Sequence, residues 1–404
     1  MSSPSPKIRW PLAVSTFTLW DKLKIGAFLI KEPIWTYGKW VKHYEDMWVK
    51  EFGVKHAIMV SSGSAANELI ALRRKWELQQ AGEWPRRNKV IFPVNTWISS
   101  VSVWVNLGFE PVFVDVSAAN LNVEPAHLIA AFKRDKARKI GTVFYTALLG
   151  FHNELEKCKS ETQKHGARFM MDNCEASFSY YDQGHGHSGF PRSILKVATC
   201  STSIFFSHLT MSGTEGGLVF TESDEEADWY RMARSHGLTR GMPERYKNPK
   251  VNADFDFYLM GSNYRSSNLQ AYMASLDFAR ALEFSRTKRL PLLELLHDRL
   301  DTAKFARFAN DNLDFDLSVP LAIPILCKTQ DLRVRVEAYL KGKGVMCRPL
   351  IGGCLLAHTA FKGYGKMADF PVAAWSHDCG LYIGLNKDVT AEMVAELAKE
   401  LNQL

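Results

Sequence analysis

The chain has 404 residues, of which 46% are hydrophobic and 23% charged, a composition that excludes a disordered or fibrous protein. This length suits two packed domains rather than one small core. The formal net charge of +7 is spread over 50 basic and 43 acidic residues without a run of five Lys or Arg, so we expect a mixed, solvated surface and no nucleic-acid partner.

No segment has the run of about 18–20 apolar residues that crosses a bilayer, and the N-terminal segment lacks the apolar stretch of a signal peptide. Seven cysteines, an odd number without a Cys-x-x-Cys pair, are typical of reduced thiols. We therefore expect a cytoplasmic protein with no membrane partner.

Helical and strand-like patterns alternate through the first two thirds of the chain. Residues 39–52 carry apolar side chains at helical spacing, and a second helix is predicted over about 65–76. Short apolar runs predict strands at 90–94, 111–116, 141–149 and 168–172. This alternation predicts a largely parallel sheet with helices on both faces, whose ligands bind at the carboxyl ends of the strands.

A long helical pattern over 265–305 leads into the C-terminal part of the chain. We expect a large domain over residues 1–275, with an N-terminal segment able to pack on the small domain, and a small domain over 276–404. No internal repeat or low-complexity linker separates the two.

A stretch of small residues, SSGSAAN (61–67), precedes the second predicted helix. Small side chains let backbone amides approach a phosphate group, and a helix N-terminus favours its negative charge. The stretch 61–67 is therefore a candidate phosphate-binding segment. A loop-to-helix junction without a ligand produces the same pattern.

Three further candidates follow predicted strands. Asp172 can pair with a protonated pyridine nitrogen, or it can cap a helix. Trp97 can stack on an aromatic ring, or it can lie in the core. The stretch STSIFFSHLTMSGTEGG (201–217) places Ser203 and His208 after a strand and before a glycine-rich turn.

With these features the sequence resembles the sugar aminotransferases and sugar 3-dehydratases of the DegT/StrS type. The matching segments run in order along nearly the whole chain: WTYGKWVKHYEDMW (35–48), VSSGSAAN (60–67), PVNTW (93–97), NLNVEPAHL (120–128), DNCEAS (172–177), 201–217, RSHGLTR (234–240), GSNYR (261–265) and CRPL (347–350). The resemblance implies the α/β fold of fold-type I, aspartate-aminotransferase-like enzymes. In that fold a large domain with a mostly parallel sheet is followed by a smaller α+β domain.

The resemblance also implies contacts with pyridoxal phosphate (PLP) or its amine form, pyridoxamine phosphate (PMP). The implied contacts are Gly63, Ser64 and Ser203 at the phosphate, Trp97 on the pyridine ring, Asp172 at the ring nitrogen and Glu175 near the 3-hydroxyl. Asn263 is implied to reach the phosphate of the neighbouring subunit's cofactor, because the family's sites are shared across a homodimer.

The lysine of the family's aminotransferases is missing. It lies in the stretch corresponding to 207–212, whereas this sequence has no lysine between Val197 and Tyr246. Lysine forms a resting imine with the cofactor aldehyde and also moves protons, while imidazole can only move protons. Since His208 takes this position, we expect PLP or PMP to be bound without a covalent link.

Histidine at this position resembles the family's 3-dehydratases. The resemblance implies a lyase of deoxysugar biosynthesis that removes the C3 hydroxyl of a nucleotide-linked 4-keto-6-deoxyhexose, with His208 and Asp172 catalytic and glutamate regenerating PMP. Arg240 and Arg348 are candidates for binding the glutamate carboxylates, and His236 for lining the site. An aminotransferase-like or other PMP-dependent enzyme, and a non-catalytic cofactor-binding member, stay open as alternatives.

Two features depart from the dehydratase pattern. Leu209 follows His208 where the dehydratases usually have a second histidine, and one extra residue lies between His208 and Glu215. No metal is expected, because residues 218–326 contain no cysteine for an iron–sulfur cluster and the HGH motif at 185–187 lacks a third ligand at suitable spacing.

Overall fold

The computed structural model describes residues 9–181, 191–210, 213–308 and 317–404. Its helices are α1 (Leu19–Lys31), α2 (Lys39–Phe52), α3 (Gly63–Gln80), α4 (Ser99–Asn106), α5 (Pro125–Arg134), α6 (Leu155–Lys164), α7 (Asp224–Ala233), α8 (Asn268–Phe284), α9 (Leu290–Arg299), α10 (Gln330–Gly342), α11 (Pro371–Cys379) and α12 (Ala391–Leu401). Its strands are β1 (His56–Val60), β2 (Lys89–Pro93), β3 (Glu110–Val114), β4 (Ile140–Thr146), β5 (Arg168–Asp172), β6 (Tyr180–Tyr181), β7 (Arg192–Ser193), β8 (Cys200–Ser203), β9 (Gly217–Thr221), β10 (Phe305–Ala306), β11 (Ala322–Cys327), β12 (Cys347–Pro349) and β13 (Gly380–Gly384).

The large sheet contains seven strands within these described ranges, in the order β1-β9-β8-β5-β4-β2-β3. Strands β8, β5, β4, β2 and β3 pair in parallel, while β9 runs antiparallel to β8 and β1. Parallel neighbours require crossover connections, and helices α4 to α6 lie in the connections between β2 and β5. The carboxyl ends of the parallel strands therefore meet at one edge of the sheet.

Successive residues of the sheet strands contribute to two different apolar cores. In β1, Ala57 and Met59 lie in the first of these cores, whereas Ile58 and Val60 lie in the second. Helices α2, α5 and α8 cover the first face, and α3, α4 and α7 cover the second. Both faces of the sheet are thus buried, as the sequence predicts for parallel strands.

A second sheet, of order β10-β11-β13-β12, is antiparallel and forms a third core with α9, α10 and α12. Trp10 belongs to this core, and its indole N–H donates to the carbonyl of Gly384 at 2.7 Å. The N-terminal segment therefore packs on the C-terminal sheet. Residues 275 and 276, the predicted domain boundary, lie inside α8, and that boundary stays a prediction.

The helix predicted over 39–52 has those bounds in α2, and the helix predicted over 65–76 is the longer α3. The strand predicted over 141–149 is wrong at its end, because β4 stops at Thr146. A short 3-10 turn, Leu148–Gly150, follows, with Leu149 in the left-handed region (φ 57°). The helical pattern over 265–305 is divided between α8 and α9 by a π-helical turn, Ser285–Arg289.

Within the described ranges, no helix has both the length and the apolar character needed to cross a bilayer. The HGH motif at 185–187 lies outside the described residues. The extra residue predicted between His208 and Glu215 falls in a stretch of which 211–212 are likewise outside them.

Candidate cofactor site and active site

A cavity of about 300 Å³ lies at the carboxyl edge of the large sheet, where the C-terminal sheet meets it. Leu321, Ala322, Tyr382 and Gly384 line it from the C-terminal sheet, and Leu12 lines it from the N-terminal segment. The predicted site residues that line this cavity together are Gly63, Ser64, Trp97, Asp172, Glu175, Ser203 and His208.

The first turn of α3 and the end of β8 form a cradle in this cavity. A Cβ at Gly63 would lie 2.8 Å from Cβ of Ser203 and 2.9 Å from Sγ of Cys174, so only glycine lets the two elements approach this closely. Ser62 caps the helix by accepting the N–H of Ala65 at 3.1 Å. The remaining N–H groups of a helix's first turn have no partner within the helix, which makes this cradle suitable for a phosphate.

Asp172 is the last residue of β5 and is buried in the cavity wall. Its Oδ2 accepts from Asn67 Nδ2 and from Ser100 Oγ, both at 2.7 Å, and its Oδ1 accepts from the N–H of Cys174 at 3.0 Å. Asn67 is itself oriented by Ser201, whose Oγ donates to Asn67 Oδ1 at 2.5 Å. The carboxylate is thus fixed in a position from which it can pair with a protonated ring nitrogen.

Glu175 is buried, and its Oε2 accepts the backbone N–H of Leu149 at 2.6 Å. Burial raises the pKa of Glu175 to about 8; the Leu149 N–H opposes this shift, and the charge of Asp172 adds to it. The side chain can therefore hold a proton near neutral pH and present it to a ligand in the cavity.

His208 is half-buried, and its Nδ1 lies 2.9 Å from the carbonyl oxygen of Cys174. Because a carbonyl only accepts, Nδ1 carries the hydrogen and Nε2 of the neutral ring is left free to accept a proton. Burial lowers the pKa of His208, while the Cys174 carbonyl and the Asp172 charge oppose that shift. Leu209, which follows, is fully buried in the first core.

Two of the remaining predictions lie at or beside the cavity. Trp97 lines the cavity and is 55% exposed, so its ring is available to stack on a ligand. Arg348 is on β12, opposite Tyr382 of β13, and Tyr382 does line the cavity. Burial raises the pKa of Tyr382 to about 12, with Glu175 acting in the same direction and Arg348 against it.

Three predicted residues, His236, Arg240 and Asn263, are exposed and lie outside the cavity of their own chain. They share one surface segment: the N–H of His236 donates to the carbonyl of Ser262 at 2.9 Å, next to Asn263. The Arg240 guanidinium lies 3.3 Å from the Asp254 carboxylate.

Sequence reasoning did not find several residues of the site. Asn67 is the last residue of the SSGSAAN motif, one helical turn after Gly63. This spacing places the two residues on the same face of the helix, so the motif itself could have identified Asn67. Ser100 follows Trp97 by three residues on the same loop-to-helix segment. Leu12 and Tyr382 have no local signal, because only the packing of distant segments brings them to the cavity.

No lysine is among the described residues that line the cavity. In the same described ranges, no group of three or more His, Cys, Asp or Glu side chains is arranged to bind a metal. The side chains that can move a proton in the cavity are thus carboxylates, a phenol, a thiol and the imidazole of His208.

Residues 26–402 match the sequence profile of the DegT/DnrJ/EryC1/StrS aminotransferase family. The chain belongs to this family. The family and the aminotransferase-like fold predicted from the sequence are both confirmed.

Two curated members of the family are named GDP-4-keto-6-deoxy-D-mannose 3-dehydratase. The one from Escherichia coli O55:H7 is 27% identical over 377 residues, covering 88% of this chain and 89% of that protein. The one from Yersinia pseudotuberculosis is 25% identical over 411 residues, covering 96% and 97%.

Two solved structures of GDP-4-keto-6-deoxymannose-3-dehydratase, the first of which is called ColD, have the same fold as this chain. A histidine-to-asparagine variant with bound GDP-perosamine superposes with a TM-score of 0.82 at 22% identity, covering 97% of this chain and 100% of that one. A structure with a trapped PLP–glutamate geminal diamine superposes with a TM-score of 0.81 at 23% identity and the same coverage.

Proposed function

We propose that this protein is a PLP/PMP-dependent lyase that removes the C3 hydroxyl of a nucleotide-linked 4-keto-6-deoxyhexose. The observation that supports this most directly is His208 in the cavity, with Nδ1 held by a carbonyl and with no lysine among the described lining residues. The two curated relatives named as 3-dehydratases of GDP-4-keto-6-deoxymannose support the substrate class.

The described residues fit PLP and PMP. Gly63 leaves a cradle that a Cβ would fill, and Ser64 and Ser203 add hydroxyls beside it. Asp172 presents a carboxylate fixed by three donors, and the exposed ring of Trp97 lies in the same cavity. Because no lysine is among the described lining residues, we infer that these contacts, rather than a covalent link, hold the cofactor.

Bound PMP supplies an amine that condenses with the 4-keto group and a ring that withdraws electrons from the reacting carbon. Asp172 would pair with the protonated ring nitrogen, and Glu175 would lie near the 3-hydroxyl of the bound cofactor. Nε2 of His208 would accept the proton whose removal lets the C3 hydroxyl leave, and would return that proton to the departing hydroxyl, which leaves as water. The Nδ1–H bond to Cys174 orients the imidazole for that transfer.

Glutamate is the proposed donor that restores PMP, in line with the glutamate adduct in a solved relative. Arg348 is a candidate for binding its carboxylate, since it lies beside the cavity-lining Tyr382. Asn263, and with it His236 and Arg240, are proposed to serve the cavity of the neighbouring subunit of a homodimer. Their exposure on one surface segment supports this assignment. We expect the enzyme to act in the cytoplasm.

The proposal is tested by incubating the protein with PMP, glutamate and a panel of nucleotide-linked 4-keto-6-deoxyhexoses, beginning with GDP-4-keto-6-deoxymannose. Mass spectrometry of the sugar and an ammonia assay follow the reaction. We expect a 3-deoxy-4-keto sugar and one ammonia per sugar consumed. A stable amino sugar would instead identify an aminotransferase, and binding without turnover of any panel member would identify a non-catalytic member.

A further inference from the structure

Arg289 ends the π-helical turn between α8 and α9, and its side chain is a buried cation that the proposed function does not use. It is 2% exposed, and no carboxylate pairs with it in the described part of the chain. Burial alone lowers the pKa of its guanidinium to about 9. Burying an unpaired charge is costly, so its contacts have to compensate for the lost hydration.

Those contacts hold the segment that enters β11. Nη1 of Arg289 donates to the carbonyls of Pro320 at 3.0 Å and Leu321 at 2.8 Å. Leu321 lines the cofactor cavity together with Ala322, the first residue of β11. The guanidinium therefore holds in place the segment that contributes Leu321 and Ala322 to the cavity wall.

From Leu321 the hydrogen bonds continue into the cavity. The N–H of Leu321 donates to the carbonyl of Leu149 at 3.0 Å, and the N–H of Leu149 donates to Oε2 of Glu175 at 2.6 Å. Arg289 thus contacts the Pro320–Leu321 segment, this segment contacts Leu149, and Leu149 contacts Glu175, so the position of each one depends on the one before it.

The turn that presents the Leu149 N–H is strained and is held from both sides. Leu149 has φ 57°, which an L-residue adopts only when its surroundings enforce it. On one side, Asn122 Oδ1 accepts the N–H of Leu148 at 2.8 Å. On the other side, Gly150 lies so close to the Val319 carbonyl that a Cβ there would be 2.0 Å from its oxygen.

We propose that Arg289 is a positioning residue that fixes the Glu175 carboxyl group in the cofactor cavity through Leu321 and Leu149. This inference rests on the proposed function for the role of Glu175 towards the cofactor. The other titratable side chains that line the same cavity are Asp172, Cys174, His208, Glu215 and Tyr382.

The test is a double-mutant cycle between Arg289→Met and Glu175→Ala, which removes the acceptor of the Leu149 N–H, with the dissociation constant of PLP measured across pH. Arg289→Met keeps the length of the side chain but removes its donors and its charge. Lys288→Met, at an exposed position of the same turn, is the matched control. Arg289→Lys keeps the positive charge but lacks the planar guanidinium group. It provides a second variant for the measurement if Arg289→Met does not fold.

We expect Arg289→Met to weaken PLP binding about tenfold and to move the pH midpoint of binding upward, because the Leu149 N–H is then no longer held in place to donate to the Glu175 carboxylate. Both effects should disappear in the Glu175→Ala background, Arg289→Lys should recover part of the affinity, and Lys288→Met should change neither. An equal loss of affinity in both backgrounds would overturn the inference.

If the wild-type protein does not bind PLP, the proposed function fails while the inference stays testable. The same cycle is then measured by urea unfolding of the protein without cofactor. A non-additive effect of the two substitutions on the unfolding midpoint supports the coupling, and additive effects overturn it.

Discussion

Gly63 shows how one absent side chain can shape the proposed phosphate site. Because a Cβ there would lie 2.8 Å from Cβ of Ser203, Gly63→Ala has to push α3 away from β8. We expect PLP affinity to fall at least about tenfold, since misplaced donors bind a phosphate poorly. Gly26→Ala, where nothing lies within 4 Å, is the control and should keep wild-type affinity. An unchanged dissociation constant for Gly63→Ala in a spectroscopic titration would contradict the cradle.

His208 is expected to act through its neutral form. Burial lowers its pKa below the ordinary 6.5, so the ring is neutral at pH 7 and gains a proton only as the pH falls through that lowered pKa. Turnover should therefore decline on the acid side with a midpoint below 6.5. His208→Asn should still bind PLP but lose at least about a hundredfold in turnover. An acid midpoint above 6.5, or wild-type turnover in the Asn variant, would contradict this role.

At the scale of single elements, the spacing of apolar residues predicted the helices and strands in which neighbouring residues of the sequence form one buried face. The apolar spacing of residues 39–52 gives α2 its observed bounds, since one face of that helix packs in the first core. The end of β4 was not predictable in the same way. The apolar run continues to Leu149, but the chain turns after Thr146, because contacts with Asn122 and Val319 hold it in a left-handed conformation.

An ion pair joins α2, β1 and the end of α7 at the large sheet. Glu45 of α2 accepts from the N–H of Met59 in β1 at 2.8 Å and from Arg234, at the end of α7, at 2.6 Å; both charged side chains are 4% exposed. Glu45→Ala leaves the buried Arg234 without its carboxylate partner, with only the Met59 carbonyl and the Tyr37 hydroxyl to accept from it, and should lower the free energy of unfolding by about 3–5 kcal/mol.

Urea unfolding measures this change. Lys42→Ala is the control, because its pair with Asp46 is exposed and contributes less than about 1 kcal/mol. Equal, small effects of the two substitutions would show that the buried pair does not hold α2 in place.

For the whole molecule, the sequence indicated which residues of the large sheet form the site but not what closes it. Gly63, Asp172 and His208 follow strands or open a helix, so the geometry of a parallel sheet brings them to one edge. Leu12 and Tyr382 come from opposite ends of the chain, and they meet at the cavity because the N-terminal segment packs on the C-terminal sheet, where Trp10 donates to Gly384 and Asn386 donates to Pro11.

A shared site in a homodimer predicts complementation between two defective subunits. His208→Asn and Asn263→Ala subunits, unfolded together and refolded as a mixture, should recover about a quarter of wild-type turnover, because half the dimers then contain one intact site. Recovery needs Asn263 to serve the neighbouring cavity. Absence of any recovery, with dimers verified by sedimentation, would show that Asn263 does not act across the interface.

The central claim is that His208 takes the place of a lysine, so that the cofactor is never linked to the protein. It is tested by treating the PLP-bound protein with borohydride and measuring its intact mass after denaturation, with His208→Lys as the positive control. We predict an unchanged mass for the wild-type chain and a reduced pyridoxyl adduct on the lysine variant. A stoichiometric adduct on the wild-type chain would contradict the account.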